Sequence, residues 1–370
     1  MIPLFKVHLP LSVDGPLLDV LHSGFIGQGA RVEEFEKLIG MFVGNEHVLT
    51  VNSGTSALQL ALKLADVGYG DEVITTPMSC SATMMPILMA GAKIVWADID
   101  PWTACIDPES VRKKFTAKTK AVICVDWGGY PCDLSELMTL CREHGAKLIE
   151  DAAHAFGARY QGKRVGSISD FTCFSFQAIK QLTTIDGGAC ACADAGAYKR
   201  GKLLRWYGID REQKRGDFRC EADIIEAGTK WHMNDVAATI GIEQMKYLPS
   251  ILSQHQDNAL WYDGELRRAN IKTVQPLCYR YDRFSTHWLY TVRALSRDRF
   301  VKWMNDNGIQ TSRVHQRNDV HTYARELKAD LPGVDEFNAH QCSIPVGWWL
   351  TGDDKDYILN KIKEWENVCL

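Results

Sequence analysis

Up to about residue 200, short apolar runs alternate with longer segments whose apolar positions recur at helical spacing. The runs 47–51, 72–76, 93–99, 121–126, 147–152, 171–176 and 188–193 read as strands. They are apolar or β-branched at most positions rather than at alternate ones. That is the pattern of strands covered on both faces, as in a parallel sheet between helices. The segments between them carry helix signals. Asp133-Leu134-Ser135-Glu136 has the spacing of a capping box, Leu134, Leu137, Met138 and Cys141 share a face, and Gly145 ends the helix. Asp107-Pro108 opens another, with Val111 and Phe115 facing inward. Such alternation predicts a three-layer α/β domain whose ligands gather at the carboxyl ends of the strands.

The pattern changes near residue 250. A helix over 234–248 ends at Pro249, and a long helical stretch follows over 250–269. Then come "HWLYTVRAL", the helix "RDRFVKWMNDNG" stopped by Gly308, and "DYILNKIKEWENV". This predicts a large domain over 1–249 and a smaller C-terminal α/β domain over 250–370.

Composition narrows the function classes. The 370 residues are 46% hydrophobic and 24% charged, enough apolar material for two cores. The net charge is −4 and no basic stripe is visible, which argues against nucleic acid and anionic membranes as partners. The 12 cysteines have no metal-ligand spacing, so reduced, buried thiols of a cytoplasmic protein are expected, and no metal site. The N-terminus "MIPLFKVHLPLS" lacks a long apolar core, and the run Met84–Ala92 is short and carries Pro86. Neither a signal peptide nor a membrane span is expected.

Four places carry candidate chemistry. Asn52-Ser53-Gly54-Thr55-Ser56-Ala57 joins a strand to a helix, where free N–H groups and the Thr55 and Ser56 hydroxyls would suit a phosphate. Taken alone it is also an ordinary helix cap. Asp151 follows a strand in "EDAAH" and could pair with a protonated ring nitrogen, or simply cap a helix. Lys180 follows Ser175 at another strand end and precedes a Gly187-Gly188 return. A lysine fixed there could form an imine with an aldehyde, once burial or a neighbour frees its amine of its proton. "GTKWHMNDVAA" places Lys230 and His232 ahead of a helix.

The order of these elements resembles fold-type I enzymes that use pyridoxal 5'-phosphate (PLP), and more specifically the DegT family of nucleotide-sugar aminotransferases. The resemblance runs through "SGFIGQGARVEEFE", "NSGTSAL", "GDEVITTPMSCSAT", "GGYPCDL", "EDAAHAFGA", "SFQAIKQLTTIDGG", "HMNDVAA" and "SIPVGWW", nearly the whole chain. It implies a large mixed-sheet domain and a smaller C-terminal α/β domain. It implies Lys180 as the imine-forming and proton-shuttling residue, Asp151 as partner of the pyridinium nitrogen, and Thr55, Ser56 and Ser175 as phosphate ligands. His154 stands where many relatives carry Gln beside the phenolic oxygen, Cys80 where many carry a stacking aromatic, and Lys230 where many carry an Asn that reaches the phosphate from the neighbouring subunit. A homodimer with shared sites follows. The substrates implied are L-glutamate and a nucleotide-linked keto sugar, a 4-keto-6-deoxyhexose on family grounds. His315, Arg317 and His321 in "RVHQRNDVH" are candidate substrate contacts.

Two other readings compete. A sugar 3-dehydratase of the same family would carry His in place of Lys180. A regulator that only binds PLP or a nucleotide sugar would have no use for an electron sink, yet Asp151, Ser175 and Lys180 are all present.

Overall fold

The computed structural model describes residues 1–213, 223–324, 326–327 and 329–369. Strands β1 (Val48–Val51), β2 (Glu72–Thr75), β3 (Lys93–Trp96), β4 (Thr119–Val125) and β5 (Lys147–Asp151) come first. A small ribbon of β6 (Arg159–Tyr160) and β7 (Lys163–Arg164) precedes β8 (Phe171–Ser175) and β9 (Gly188–Cys192). The main sheet has the order β1-β9-β8-β5-β4-β2-β3. Every expected run contributes one strand to it, although the third ends at Trp96, short of residue 99.

The sheet is mixed, as the family resemblance implies, and one strand makes it so. From β8 to β3 the neighbours are parallel, but β9 runs antiparallel to both β8 and β1. The connection over 176–187 contains no crossover helix. It closes on itself instead: Phe176 N–H donates to Gly187 O at 2.9 Å and Thr184 N–H to Phe176 O at 2.9 Å. Without a crossover the chain can only return antiparallel.

The capping box is corrected too. The helix Leu134–Glu143 forms, but the Asp133 side chain makes no cap bond. Its carboxylate accepts from Arg283 Nη2 at 2.7 Å and Arg280 Nη1 at 2.8 Å, charged donors that outcompete a backbone N–H. The single helix expected over 234–248 is Asp235–Met245, capped by Asn234, and a new helix, Leu248–Arg268, carries Pro249 in its first turn. There the missing N–H has no acceptor to lose.

In the C-terminal part, β10 (Val274–Pro276), β12 (Tyr290–Ala294) and β13 (Gln341–Ile344) form an antiparallel sheet with β12 central, while β11 (Arg283–Phe284) pairs with β6. Tyr262, Tyr290, Phe300 and Trp365 fill the core beside this sheet. The first residues of the chain pack here as well. Ile2 N–H donates to Gly308 O at 2.7 Å, Leu4 N–H to Gln310 Oε1 at 3.1 Å, and Trp349 Nε1–H to Pro3 O at 3.0 Å.

Candidate active site

A cavity of about 740 Å³ opens where the carboxyl ends of β5 and β8 meet the start of the helix Gly54–Leu64 and the C-terminal part of the chain. Two glycines let these pieces close up. A Cβ on Gly54 would lie 2.9 Å from Ser175 Cβ, and one on Gly188 only 2.6 Å from the Ser53 carbonyl carbon. The start of β9, the end of β8 and the helix start are therefore packed backbone to backbone.

At the helix start Ser53 is the cap, accepting from Ser56 N–H at 3.0 Å. Ser53, Gly54, Thr55 and Ser175 line the cavity. Ser56 does not. Its hydroxyl is turned inward, donating to Asn52 Oδ1 at 2.6 Å and lying 2.9 Å from Ser53 Oγ. The anion-binding character of this corner comes from the first-turn N–H groups, which have no intrahelical acceptor, together with Ser53, Thr55 and Ser175.

Asp151, at the end of β5, is buried and accepts from Thr83 Oγ1 at 2.7 Å and Ala153 N–H at 3.2 Å. Thr83 is held in turn by Ser79 at 2.6 Å. Burial pushes the Asp151 pKa up, while Thr83, the Ala153 amide and the Lys180 charge pull it back. Asp126 and Glu150 are also fully buried, and Asp126 Oδ2 and Glu150 Oε1 have no hydrogen-bond partner. Burial and the Glu150 charge raise the Asp126 pKa, and burial raises that of Glu150.

Lys180 sits in a turn beyond β8, its N–H donating to Gln177 O at 2.9 Å. The residue is only half-buried, but its amine points into the cavity and lies 3.6 Å from the centre of the Trp288 ring. Burial of that amine lowers its pKa to about 7, against the opposing pull of Asp151 and Cys80. A large share is neutral, hence nucleophilic, near neutral pH.

His154 stacks on Trp288 at 3.9 Å and lies parallel to His315, ring centres 5.7 Å apart. Burial, Lys180 and His315 hold its pKa well below the ordinary imidazole value, so it is neutral at pH 7. Its Nδ1 is buried without a partner. Cys80, at the start of the helix Ser81–Met89, presents an exposed thiol to the cavity. The aromatic surface comes from Trp288 and Phe5 instead.

The candidate substrate residues separate. His315 lines the cavity, its Nε2 buried without a partner and its pKa lowered to about 4 by burial and by Lys180. It is delivered by a tight turn at Val314, whose φ is 62° while His315 N–H donates to Arg313 O at 2.7 Å. A positive-φ γ-turn on a β-branched residue is strained. Arg317 does not line the cavity. Its guanidinium is held by Asp319 at 2.6 and 2.7 Å and by Asp335. His321 also lies off the lining, stacked on Tyr323 at 5.8 Å. Lys230 is exposed, with Nζ 5.9 Å from the Trp206 ring, and does not line the cavity of its own chain.

Sequence reading missed Thr83, Trp288 and the N-terminal Leu4 and Phe5, all in or directly behind the cavity wall. Among the described residues no cluster of His, Cys, Asp and Glu could hold a metal ion, and no helix is long and apolar enough to cross a membrane.

Known proteins share the family and the fold. The profile of the DegT/DnrJ/EryC1/StrS aminotransferase family matches residues 14–363. The spore coat polysaccharide biosynthesis protein SpsC of Bacillus subtilis is 32% identical over 94% of this chain and 92% of its own length. The sugar aminotransferase CalS13 of Micromonospora echinospora superposes with a TM-score of 0.94 at 37% identity, over 98% of this chain and 100% of its own. Spr1654 of Streptococcus pneumoniae, a putative sugar aminotransferase solved in a PLP-form and a PMP-form, is 26% identical over 100% of this chain, with TM-scores of 0.92 and 0.93 and 99% and 100% of the respective chains covered.

Proposed function

The chain belongs to the DegT/DnrJ/EryC1/StrS aminotransferase family, enzymes that use PLP, and on that premise we propose that it moves an amino group from L-glutamate to a keto group of a nucleotide-linked deoxy sugar. The acceptor proposed is a 4-keto-6-deoxyhexose and the product an amino sugar for surface glycan or related biosynthesis, made in the cytoplasm. One observation carries the reading: Lys180, with a pKa near 7, shares a cavity with buried Asp151 and a glycine-cradled helix start.

The residues fit PLP. The cradle of Gly54 and Gly188 would take the phosphate, with Thr55, Ser175 and Ser53 as hydroxyl donors. Asp151 would face the ring nitrogen, and the unpartnered His154 Nδ1 edge would meet the phenolic oxygen. When bound, PLP supplies an electron sink for a carbanion at the carbon bearing the amine. Thr83 and the Ala153 amide aim the Asp151 carboxylate and offset part of the rise in its pKa that burial causes. Lys180 Nζ, neutral for much of the time near pH 7, takes a proton from that carbon and returns it one position away. His154, neutral, donates or accepts a hydrogen bond without adding charge.

Lys230, exposed and outside its own cavity, is assigned to the site of a partner subunit in a homodimer. Mixing Lys180→Ala and Lys230→Ala subunits should restore part of the activity through hybrid dimers; confirmed exchange without restoration refutes the shared site. For the reaction itself, purified protein should be yellow, and L-glutamate should bleach it. A panel of nucleotide keto sugars with glutamate, products identified by NMR, then names the acceptor. Colour that persists with glutamate and with every keto sugar sinks the proposal.

A further inference from the structure

We propose that Trp288 is a positioning residue for Lys180 and His154, holding both from the C-terminal part of the chain. The inference rests on the reading of Lys180 as the cofactor lysine. Trp288 is 4% exposed, and a buried indole N–H needs an acceptor. It finds one in the Ile179 carbonyl at 2.9 Å, the residue before Lys180. Its ring then lies under the Lys180 amine at 3.6 Å and against the His154 imidazole at 3.9 Å.

The residues around Trp288 grip the same two places. Gln181, on the other side of Lys180, donates to the Thr286 carbonyl at 2.8 Å. Thr286 Oγ1 donates to the His154 carbonyl at 2.6 Å. Thr286 N–H in turn reaches the Gly129 carbonyl at 3.1 Å, and a Cβ on Gly129 would lie 2.0 Å from Thr286 Oγ1. Between them His287 adopts φ 48°, and its carbonyl is held by His255 Nδ1 at 2.9 Å. A non-glycine residue in that conformation is strained and persists only where its surroundings fix it. The strained turn sets the indole's place. A tryptophan serving only to fill the core would not need its neighbours bonded to both sides of a lysine over 100 residues away.

Two effects on the amine follow. The indole face attracts an ammonium, and the indole bulk excludes water. The other titratable groups facing Lys180 are Asp151, Cys80, His154 and His315. Replacing Trp288 removes none of these titratable groups.

The test uses the full chain freed of its cofactor with hydroxylamine, then given PLP. Covalent capture, amine plus aldehyde with loss of water, is followed by visible absorbance and fixed by borohydride for mass spectrometry at Lys180. Its rate is measured against pH. Wild type should show a midpoint near the Lys180 pKa of about 7. Trp288→Leu should shift that midpoint by roughly half a unit or more and slow capture at pH 7 roughly tenfold or more, the scale of a desolvated cation–π contact. Trp288→Phe, which keeps a ring but loses the N–H, should recover most of the midpoint and less of the rate. Folding is checked by circular dichroism and Tm, and Trp288→Phe carries the test if Trp288→Leu does not fold. Midpoints and rates at wild-type values in both folded variants overturn the proposal. Capture undiminished in Lys180→Ala would instead overturn the assignment of Lys180, a separate failure.

Discussion

The two walls of the cavity are built by different means. The wall from the main sheet is backbone: glycines at 54 and 188 in contact closer than any side chain permits, and a helix start. Its polar groups are satisfied in chains, such as Ser79 to Thr83 to Asp151. The wall from the C-terminal part is side chain: Trp288, and His315 with an unpartnered nitrogen, each delivered by a positive-φ residue just before it. A wall of packed backbone admits one fixed chemistry. A wall of side chains on strained turns can change its selectivity by substitution. We therefore assign the cofactor to the first wall and discrimination between sugars to the second.

The hardest blow to the first wall is Lys180→Ala. Amino transfer should fall by roughly 10³-fold or more, with the yellow colour lost. Transamination near the wild-type rate would undo the assignment of the walls. Gly188→Ala comes next. Its Cβ would meet the Ser53 carbonyl, so we expect a cost of about 1–3 kcal/mol in stability and weaker PLP binding, read by thermal melts and absorbance titration. An unchanged melt and PLP affinity would show that the cradle is looser than the contacts imply.

The second wall is sharpened by a pair. His315→Gln should lower kcat/KM for the keto sugar by about 5–30-fold, the scale of one hydrogen bond to a buried group, while PLP binding holds. Arg317→Ala should leave KM for the nucleotide sugar within about twofold, because its guanidinium is spent on Asp319 and Asp335. A large rise in KM for Arg317→Ala would put the substrate phosphates on the Arg317 side.

The smallest effect lies behind the first wall. Burial and the Glu150 charge raise the Asp126 pKa, so the folded protein keeps a proton that the unfolded chain loses above about pH 4. That difference costs stability as pH rises towards the folded value. Asp126→Asn cannot lose the proton, so its Tm should gain on wild type between about pH 5 and pH 8. A constant gap between the two melts would exclude the raised Asp126 pKa.

The same division governs what the sequence disclosed. The place of Asp151, Ser175 and Lys180 on the cavity was readable because the first two end apolar runs and the third lies in the turn beyond one, and strand ends are where such sheets place ligands. The antiparallel β9 was less so, since its apolar run looks the same in either direction. Arg317, a candidate substrate contact, lies off the cavity and is held by Asp319 two residues on: a basic residue in a polar loop reads alike whether it meets a phosphate or its own neighbour. Trp288 left no signal, because its partners Ile179 and His154 are distant in sequence and an aromatic before a strand is ordinary core material. The cap at Asp133 was misread because a distant charge, Arg283, holds its carboxylate.

The opening residues bear on how the molecule is made. Leu4 and Phe5 precede every strand of the main sheet in the chain, yet Leu4 is held by Gln310, 306 positions later, and Pro3 by Trp349, 346 positions later. The main sheet can assemble while translation continues, but this corner of the cavity cannot close until Gln310 and Trp349 have been made. Nascent chains stalled before Gln310 should therefore leave the opening segment open to protease, and chains released whole should protect it.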